Sequence, residues 1–364
     1  NPLLTGGVRK EKEIGIELKF LQNRFGVDFT YFTRNDENLP TDLTLTGTTG
    51  YAETVGNGSI IETKGWELAL NLAPIRTDNF TWDINFNISN FDKKVIKIND
   101  LVSSVQVAEG RTAYLVHDAN DNWGNIYGYN TVTNDEGVPL INSSGLRVYS
   151  DNFEKVGNVQ ADFNGGLINY FRYKNFNLGI SIDFQGGGEY YSVTRQLLAY
   201  SGLGDFTVGD NALGNPLRDP VLDASGTEVN QVLASNVGAG SGGVLVEGVD
   251  ETTGSPVSYY TSSYSYFKSM NRKAGEWIYD ASYVKLRQLT LGYNIPKKTI
   301  DKLPLDAIQI NLYANNLWLI YSEIDGIDPS EIEAYDSTDD DIRWTEYAQD
   351  PNQRTFGLGV KLSF

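Results

Sequence analysis

The chain has 364 residues and a formal net charge of −18, from 47 acidic and 29 basic residues. This excess of negative charge disfavours a nucleic-acid-binding protein, which would present a basic face, so no nucleic acid is expected as a partner. The absence of cysteine excludes disulfides and thiolate metal sites. No apolar run approaches the roughly 18 residues that a membrane helix needs.

Apolar and polar residues alternate in many places along the chain, and this period of two predicts β-strands with one apolar and one wet face. In FTWDINFNIS, residues 80–89, every second residue is apolar. The other face carries small hydrated groups such as Asp83, Asn85 and Asn87, which suit a water-filled lumen. The pattern predicts nine strands, near residues 14–20, 25–31, 66–72, 80–89, 163–173, 176–185, 283–295, 307–317 and 354–364.

Strand length and loop length both favour a membrane barrel. Strands of roughly ten residues can cross a bilayer when tilted, whereas strands of soluble proteins more often have about five or six. Short connections at 22–24, 73–79, 174–175 and 296–305 alternate with long ones at about 36–62, 91–162, 187–282 and 318–353. Such sorting is typical of outer-membrane barrels, whose long loops are extracellular. We therefore predict an all-β fold, a transmembrane antiparallel β-barrel.

The last strand has the alternation expected of a strand that the barrel assembly machinery reads and that then closes the sheet. Its apolar residues are Phe356, Leu358, Val360, Leu362 and Phe364. Nine strands that begin and end on the same side cannot close a bacterial barrel, which has an even number of strands. We therefore expect residues 1–364 to be the C-terminal part of a larger barrel, whose first strands lie upstream.

Several stretches resemble SusC/RagA-like TonB-dependent transporters. Residues 11–34 and 58–89 resemble strand pairs of that family, and residues 278–298 and 311–321 resemble its C-terminal blocks. VGNVQADFNGG, from residue 156, is similar to the family segment VGN-x-x-P-DF-x-GG, although Gln160 and Ala161 stand where the family usually has a proline. The resemblance covers most of the chain from about residue 10 to 364, in the expected order.

The resemblance implies a barrel of about 22 strands in the outer membrane of a Gram-negative bacterium, with this chain supplying the last nine. It also implies an N-terminal plug and a TonB contact in the absent part, with import of an oligosaccharide or a peptide. The expected partners are the TonB complex, a SusD-like surface lipoprotein that forms a lid, the lipid of the outer membrane, and a second transporter–lid unit in a dimer.

The long loops contain aromatic residues that could contact a substrate or the lid. Trp123, Tyr127 and Tyr129 lie among carboxamides and carboxylates, and such surfaces suit sugar rings, which stack on aromatic faces while their hydroxyls find hydrogen bonds. Tyr190 and Tyr191 could line a binding cavity in the same way. The alternative for all five is that they pack the loops, and "IYGY" recurs in the family as a loop-packing element.

The segment DANDN resembles part of a calcium loop, because Asp118, Asn120 and Asn122 have the alternate spacing of calcium ligands. An EF-hand is rejected, since Trp123 replaces the required glycine and Tyr129 the required glutamate. A looser Ca²⁺ site at the three residues is the metal prediction, and no other cofactor is expected. The acidic run over 336–344 is expected to be a solvated loop tip.

No enzyme activity is expected. The chain has one histidine, His117, and no cysteine, so a catalytic triad would have to depend on that residue alone. Two other functions stay open at this point. One is a siderophore or cobalamin receptor of the same broad class, which should have shorter loops. The other is a secreted all-β adhesin or carbohydrate-binding protein, which should be soluble without detergent.

Overall fold

The computed structural model describes residues 4–44, 53–332, 342–350 and 352–364. Its largest feature is an antiparallel sheet in which each long strand pairs with the next one along the chain. The strands are β1 (Val8–Phe20), β2 (Phe25–Thr44), β3 (Glu53–Arg76), β4 (Phe80–Lys97), β5 (Ala161–Tyr173), β6 (Phe176–Gly187), β7 (Tyr283–Asn294), β8 (Ala307–Ser322) and β9 (Thr355–Ser363). The all-β prediction is confirmed, and each of the nine predicted strands corresponds to one of these.

Several strands are longer than the alternation predicted. β2 has 20 residues and β3 has 24, so the segment expected to be a loop over 36–62 is strand up to Thr44 and again from Glu53. The reason is that backbone pairing continues where side chains on both faces are polar, as at Arg34 opposite Thr63. Apolar alternation therefore marks only the part of each strand with an apolar face.

The two longest connections fold into small sheets of their own. One sheet contains Ser104–Glu109, Ala113–Asp118, Asn125–Gly128 and Glu154–Asn158. A second contains Leu140–Ile141, Gln231–Leu233, Val244–Asp250 and Pro256–Thr261. Glu189–Ser192 pairs with Ile278–Asp280 and Thr345–Glu346, Val221–Leu222 pairs with Glu228–Val229, and Asp121–Asn122 pairs with the end of β4.

The helices are few and short. They are α1 (Val193–Ser201), α2 (Ser263–Ser269) and α3 (Lys297–Ile300), with 3₁₀ turns at Asp205–Thr207, Ala234–Asn236, Ala274–Trp277 and Pro329–Glu331. Among the described residues, none of these helices is long and apolar enough to cross a membrane.

The main hydrophobic core lies among the loops and not on a face of the large sheet. It joins the loop after β4 to the loop after β6 and to the segment before β9, and its most buried members include Leu115, Ile126, Tyr191, Trp277 and Trp344. Trp344 is fully buried. The loops thus form a packed unit that is anchored on the sheet.

Two adjacent glycines of β5 differ in the space around them. A Cβ on Gly165 would lie 2.5 Å from the Phe184 ring and 2.6 Å from the Asn87 carbonyl oxygen, whereas the nearest atom to a Cβ on Gly166 would be 3.5 Å away. Gly165 therefore allows the Phe184 ring to cross the strand at van der Waals contact. An aromatic ring laid over a strand glycine is a recurrent stabilising device in β-sheets.

We predict that Gly165→Ala destabilises the folded barrel by about 1–3 kcal/mol, the usual cost of overpacking. Gly166→Ala on the same strand is the matched control and should change stability little. The measurement is the temperature at which the full-length protein in detergent loses its compact, fast-migrating form on SDS gels. Equal effects of the two substitutions would contradict the packing described for Gly165.

Candidate lipid-facing wall and loop cavities

One face of the large sheet is apolar along continuous rows that cross the strands. The pairing register places Leu18 beside Val27, and the row continues across the next strands through Leu70, Phe86, Leu167 and Ile182. A second row crosses the far end of the sheet through Leu178, Leu291, Leu312 and Leu358. Within each row the paired residues lie on the same face of the sheet. The β-bulge in the pairing of β6 with β7, between Ser181 and Ile182, lies between the two rows.

This apolar face is open. Ile14 is 73% exposed and Phe356 is 74% exposed. All five apolar residues that we identified in the last strand lie on the open face, with Phe364 at 84% exposure. A soluble protein rarely exposes an apolar surface that spans a whole sheet. The face therefore has the properties of a surface that meets lipid.

The opposite face carries the predicted polar residues, although Ile168 and Tyr170 of β5 lie on it as well. Asn85 lies opposite Asn71, and Asn87 lies opposite Ala69 and Gly166. Asp183 and Gln185 on β6 share this face. The two faces thus differ in chemistry along the same strands.

A network of charged side chains fastens a loop turn to the polar face of the sheet. Lys285 of β7 is 1% exposed, and its Nζ lies 2.5 Å from Asp328 Oδ2 and 3.3 Å from Glu331 Oε1. Arg287 bridges from the same strand to Glu331 at 2.5 Å and to Asp183 at 2.6 Å. The 3₁₀ turn at Pro329–Glu331 is therefore held against the wall by two cations and three carboxylates.

The carboxylates of this turn are stabilised in their charged form. Burial opposes the ionisation of Asp328, but hydrogen bonds from Lys285, Ser330 and Asn352 outweigh it, so the pKa of Asp328 is lowered. Burial also opposes ionisation of Glu331, and the hydrogen bond from Arg287 is the largest contribution that lowers the pKa of this group. The lowered pKa values keep both carboxylates of the turn ionised at neutral pH.

The predicted contact residues of the first long loop have different surroundings. Trp123 packs between two loop cores, with the Lys93 ammonium 4.4 Å from its ring centroid and the His117 ring at 5.3 Å. The Tyr127 hydroxyl donates to Asp118 Oδ2 at 2.7 Å, and burial raises the pKa of Tyr127 to about 12. Only Tyr129 of these three lies at an open aromatic cavity.

Tyr190 and Tyr191 are packed inside the loops. Tyr190 is 1% exposed in a small core with Ile324 and Ile327, and Tyr191 is 0% exposed in the main core. The Tyr191 hydroxyl donates to Gln196 Oε1 at 2.6 Å. The loop-packing alternative therefore fits the surroundings of both residues, while substrate contact at Tyr190 and Tyr191 stays a prediction. Sequence alone could not separate the two outcomes, because a tyrosine pair in a loop is compatible with either.

The three residues proposed as calcium ligands belong to a tight turn. Asp118 ends one strand, Ala119 and Asn120 form the turn, and Asn122 lies in the next strand. Asn120 has φ of 65°, a left-handed conformation that asparagine tolerates well. The Asp118 carboxylate is already engaged by Tyr127. Turn formation thus explains the Asp and Asn residues without an ion, and within the described ranges no cluster of His, Cys, Asp or Glu suits a metal.

The open aromatic cavity has a volume of about 450 Å³ and is lined by Arg111, Thr112, Tyr114, Tyr129, Phe153 and Arg272. The Phe153 ring lies between Tyr114, at a centroid distance of 4.8 Å, and Tyr129, at 4.7 Å. Sequence analysis identified Tyr129 alone, because the other residues come from distant parts of the two long loops. No periodic pattern links residues so far apart in sequence.

A larger, polar cavity of about 700 Å³ lies where the loops meet the sheet. Its walls carry carboxylates and amides, including those of Asp92, Asn158, Gln160, Glu189 and Asp280. The groups on its walls suit a hydrated ligand with many hydroxyl or amide groups.

No protein-family model matches the chain. TonB-dependent receptor P3 of Formosa agariphila is 24% identical over 380 residues, which cover 100% of this chain and 35% of that protein. TonB-dependent receptor SusC of Bacteroides thetaiotaomicron is 26% identical over 187 residues, 46% of this chain and 18% of SusC. A solved structure of the RagAB peptide transporter matches with a TM-score of 0.68 at 14% identity, over 100% of this chain and 36% of that one.

The chain is therefore similar in sequence to TonB-dependent receptors, SusC among them, and similar in fold to the RagAB peptide transporter. The structural likeness shows a shared fold, and the relatives are named as receptors and transporters, not enzymes. The chain spans 35% of the length of the TonB-dependent receptors that match it over its full extent. The large sheet therefore shares its fold with part of the RagAB transporter.

We predict that Lys285→Met releases the turn at Pro329–Glu331 from the barrel wall. Removal of one partner from a buried ion network costs about 3–5 kcal/mol, so amide hydrogen exchange in residues 324–332 should accelerate by about 100-fold or more. Lys297→Met is the matched control, since Lys297 pairs with Asp306 where both side chains are largely exposed and such pairs contribute little. An unchanged exchange rate of residues 324–332 in Lys285→Met would contradict the conclusion that Lys285 holds this turn against the wall.

The ion network that holds the turn at Pro329–Glu331 should lose its stabilising effect at acidic pH. The pKa values of Asp328 and Glu331 are lowered from ordinary values of 3.8 and 4.5, so their stabilising contribution is present above those values and is lost as the pH falls below them. Exchange protection of residues 324–332, corrected for intrinsic rates, should therefore hold at pH 6 and decline below about pH 4. Protection that persists unchanged to pH 3 would show that the carboxylates are not its source.

Proposed function

We propose that this chain forms part of the wall of an outer-membrane, TonB-dependent importer for a large nutrient, either an oligosaccharide or a peptide. The observation that carries the proposal is the pair of unlike faces on one continuous sheet, with apolar rows open on one side and polar side chains on the other. A protein that spans lipid and encloses an aqueous path requires this arrangement.

The loops support a large substrate. Residues 98–160 and 188–282 fold into packed units with cavities of about 450 and 700 Å³, and cavities of this size accommodate a sugar unit or a short peptide segment. A siderophore or cobalamin receptor is the alternative within the class, and the length of these loops favours the larger cargo. A soluble adhesin would leave the exposed apolar rows without a function.

The partners belong to the proposal as well. SusC-like relatives and the RagAB structures support a SusD-like lipoprotein as a lid over the loops. Energy coupling through TonB would involve parts of the protein outside this chain. Contact with outer-membrane lipid at the apolar rows, a dimer of transporter–lid units and a calcium ion in the loops stay predictions.

We predict that the full-length native protein is recovered in the outer-membrane fraction and needs detergent for extraction, because its apolar rows face lipid. Gentle purification should retain a surface lipoprotein, identified by mass spectrometry. The control is the same purification from cells in which that lipoprotein gene is deleted. Recovery in the soluble fraction without detergent would overturn the proposal.

A further inference from the structure

We propose that the open aromatic cavity is a binding site for a carboxylate-bearing sugar, a uronic acid residue of an acidic oligosaccharide. The inference rests on the proposed function and names a substrate class for it. Three features of the cavity carry it: a cluster of three aromatic rings, two arginines that form no ion pair with a carboxylate among the described residues, and side chains that hold both groups in place.

The aromatic surface suits a pyranose ring. Phe153 is 45% exposed although the Tyr114 and Tyr129 rings both contact it. A sugar presents axial C–H groups on one face, and such a face packs on aromatic rings. The hydroxyls of Tyr114 and Tyr129 make no hydrogen bond within the part of the chain that the structure describes, so they are available to sugar hydroxyls.

The cations indicate an anionic ligand. Arg111 and Arg272 line the cavity, and neither forms an ion pair with a carboxylate among the described residues. Lys273 lies beside them over the Tyr129 ring, with the Asp151 carboxylate as a neighbouring charge. Within the described ranges, the hydrogen bond of the Arg111 guanidinium is a long one, 3.4 Å to Asn271 Oδ1. Two guanidinium groups match the planar geometry of a carboxylate.

Neighbouring side chains preorganise the cavity. The Lys273 ammonium lies 4.5 Å from the Tyr129 ring centroid and 4.8 Å from that of Tyr149, so two rings fix its position. Arg272 has φ of 67°, an uncommon conformation for a residue with a side chain. Beneath the cavity, the Thr112 hydroxyl is 2.8 Å from that of the buried Tyr191.

A peptide is the competing ligand, and its terminal carboxylate could also reach the arginines. The sugar is favoured because the cavity combines cations with a broad aromatic surface and free phenolic hydroxyls, whereas a peptide terminus needs only the cations. A sugar unit also fits a volume of about 450 Å³.

The test is calorimetric binding to the full-length transporter in detergent, with tetragalacturonate and its methyl ester as probes. These share a backbone and differ in charge. We expect tetragalacturonate to bind at least about tenfold more tightly, the scale of a hydrogen bond to a charged group. The double variant Arg111→Gln and Arg272→Gln should abolish this preference. Phe153→Ala should weaken the binding of both probes.

The matched control is Lys298→Gln with Lys302→Gln, which removes two exposed positive charges from the short connection between β7 and β8 and should leave binding unchanged. Equal affinity for the two probes, no binding of tetragalacturonate, or an unchanged preference in the double arginine variant would each overturn the inference. So would arginine-dependent binding of an acidic hexapeptide in place of the sugar.

The two proposals can fail separately. If the protein fractionates in the outer membrane with its lipoprotein but shows no preference for the charged probe, the cavity inference fails and the importer stands. If the protein is soluble without detergent, the importer fails, whatever the probes show.

Discussion

The structure depends on one constraint: within part of each of the nine long strands, alternate side chains are mainly apolar, in a register that keeps these residues on one face. A one-residue slip in any pair would turn a whole strand's apolar set to the polar side. In lipid, the backbone groups must also pair within the sheet, because no water is present to satisfy them. The strands that carry the row from Leu18 to Ile182 meet both requirements, because their apolar residues share one face and their backbones are paired.

Because the sheet buries little apolar surface within this chain, the loops supply its hydrophobic cores. Trp344, Tyr191 and Leu115 come from three separate connections and meet in one core. The ion network at Lys285 then ties the turn after β8 to the polar face. A rigid wall thus carries a folded loop unit, and cavities arise where the connections meet each other and the wall.

The period-two pattern was sufficient to predict the strands and their faces, since alternation is a local signal that survives without tertiary information. The strand ends beyond Arg34 were not predictable, because pairing there continues between polar residues. The loop sites were harder still. Arg111, Phe153 and Arg272 meet through folding of distant segments, and Trp123 and Tyr191 carry the same local signal whether they face a ligand or a core.

The central claim is that one face of the strands meets lipid and the other meets water. Single cysteines at positions 84 to 88 of β4, a chain segment without native cysteine, can be spin-labelled one at a time in the reconstituted full-length protein once any cysteine outside this chain has been replaced. The account predicts high accessibility to oxygen at 84, 86 and 88, and to a water-soluble nickel chelate at 85 and 87. Labels at 84, 86 and 88 that neither reagent reaches would mean a buried core and would contradict the barrel wall.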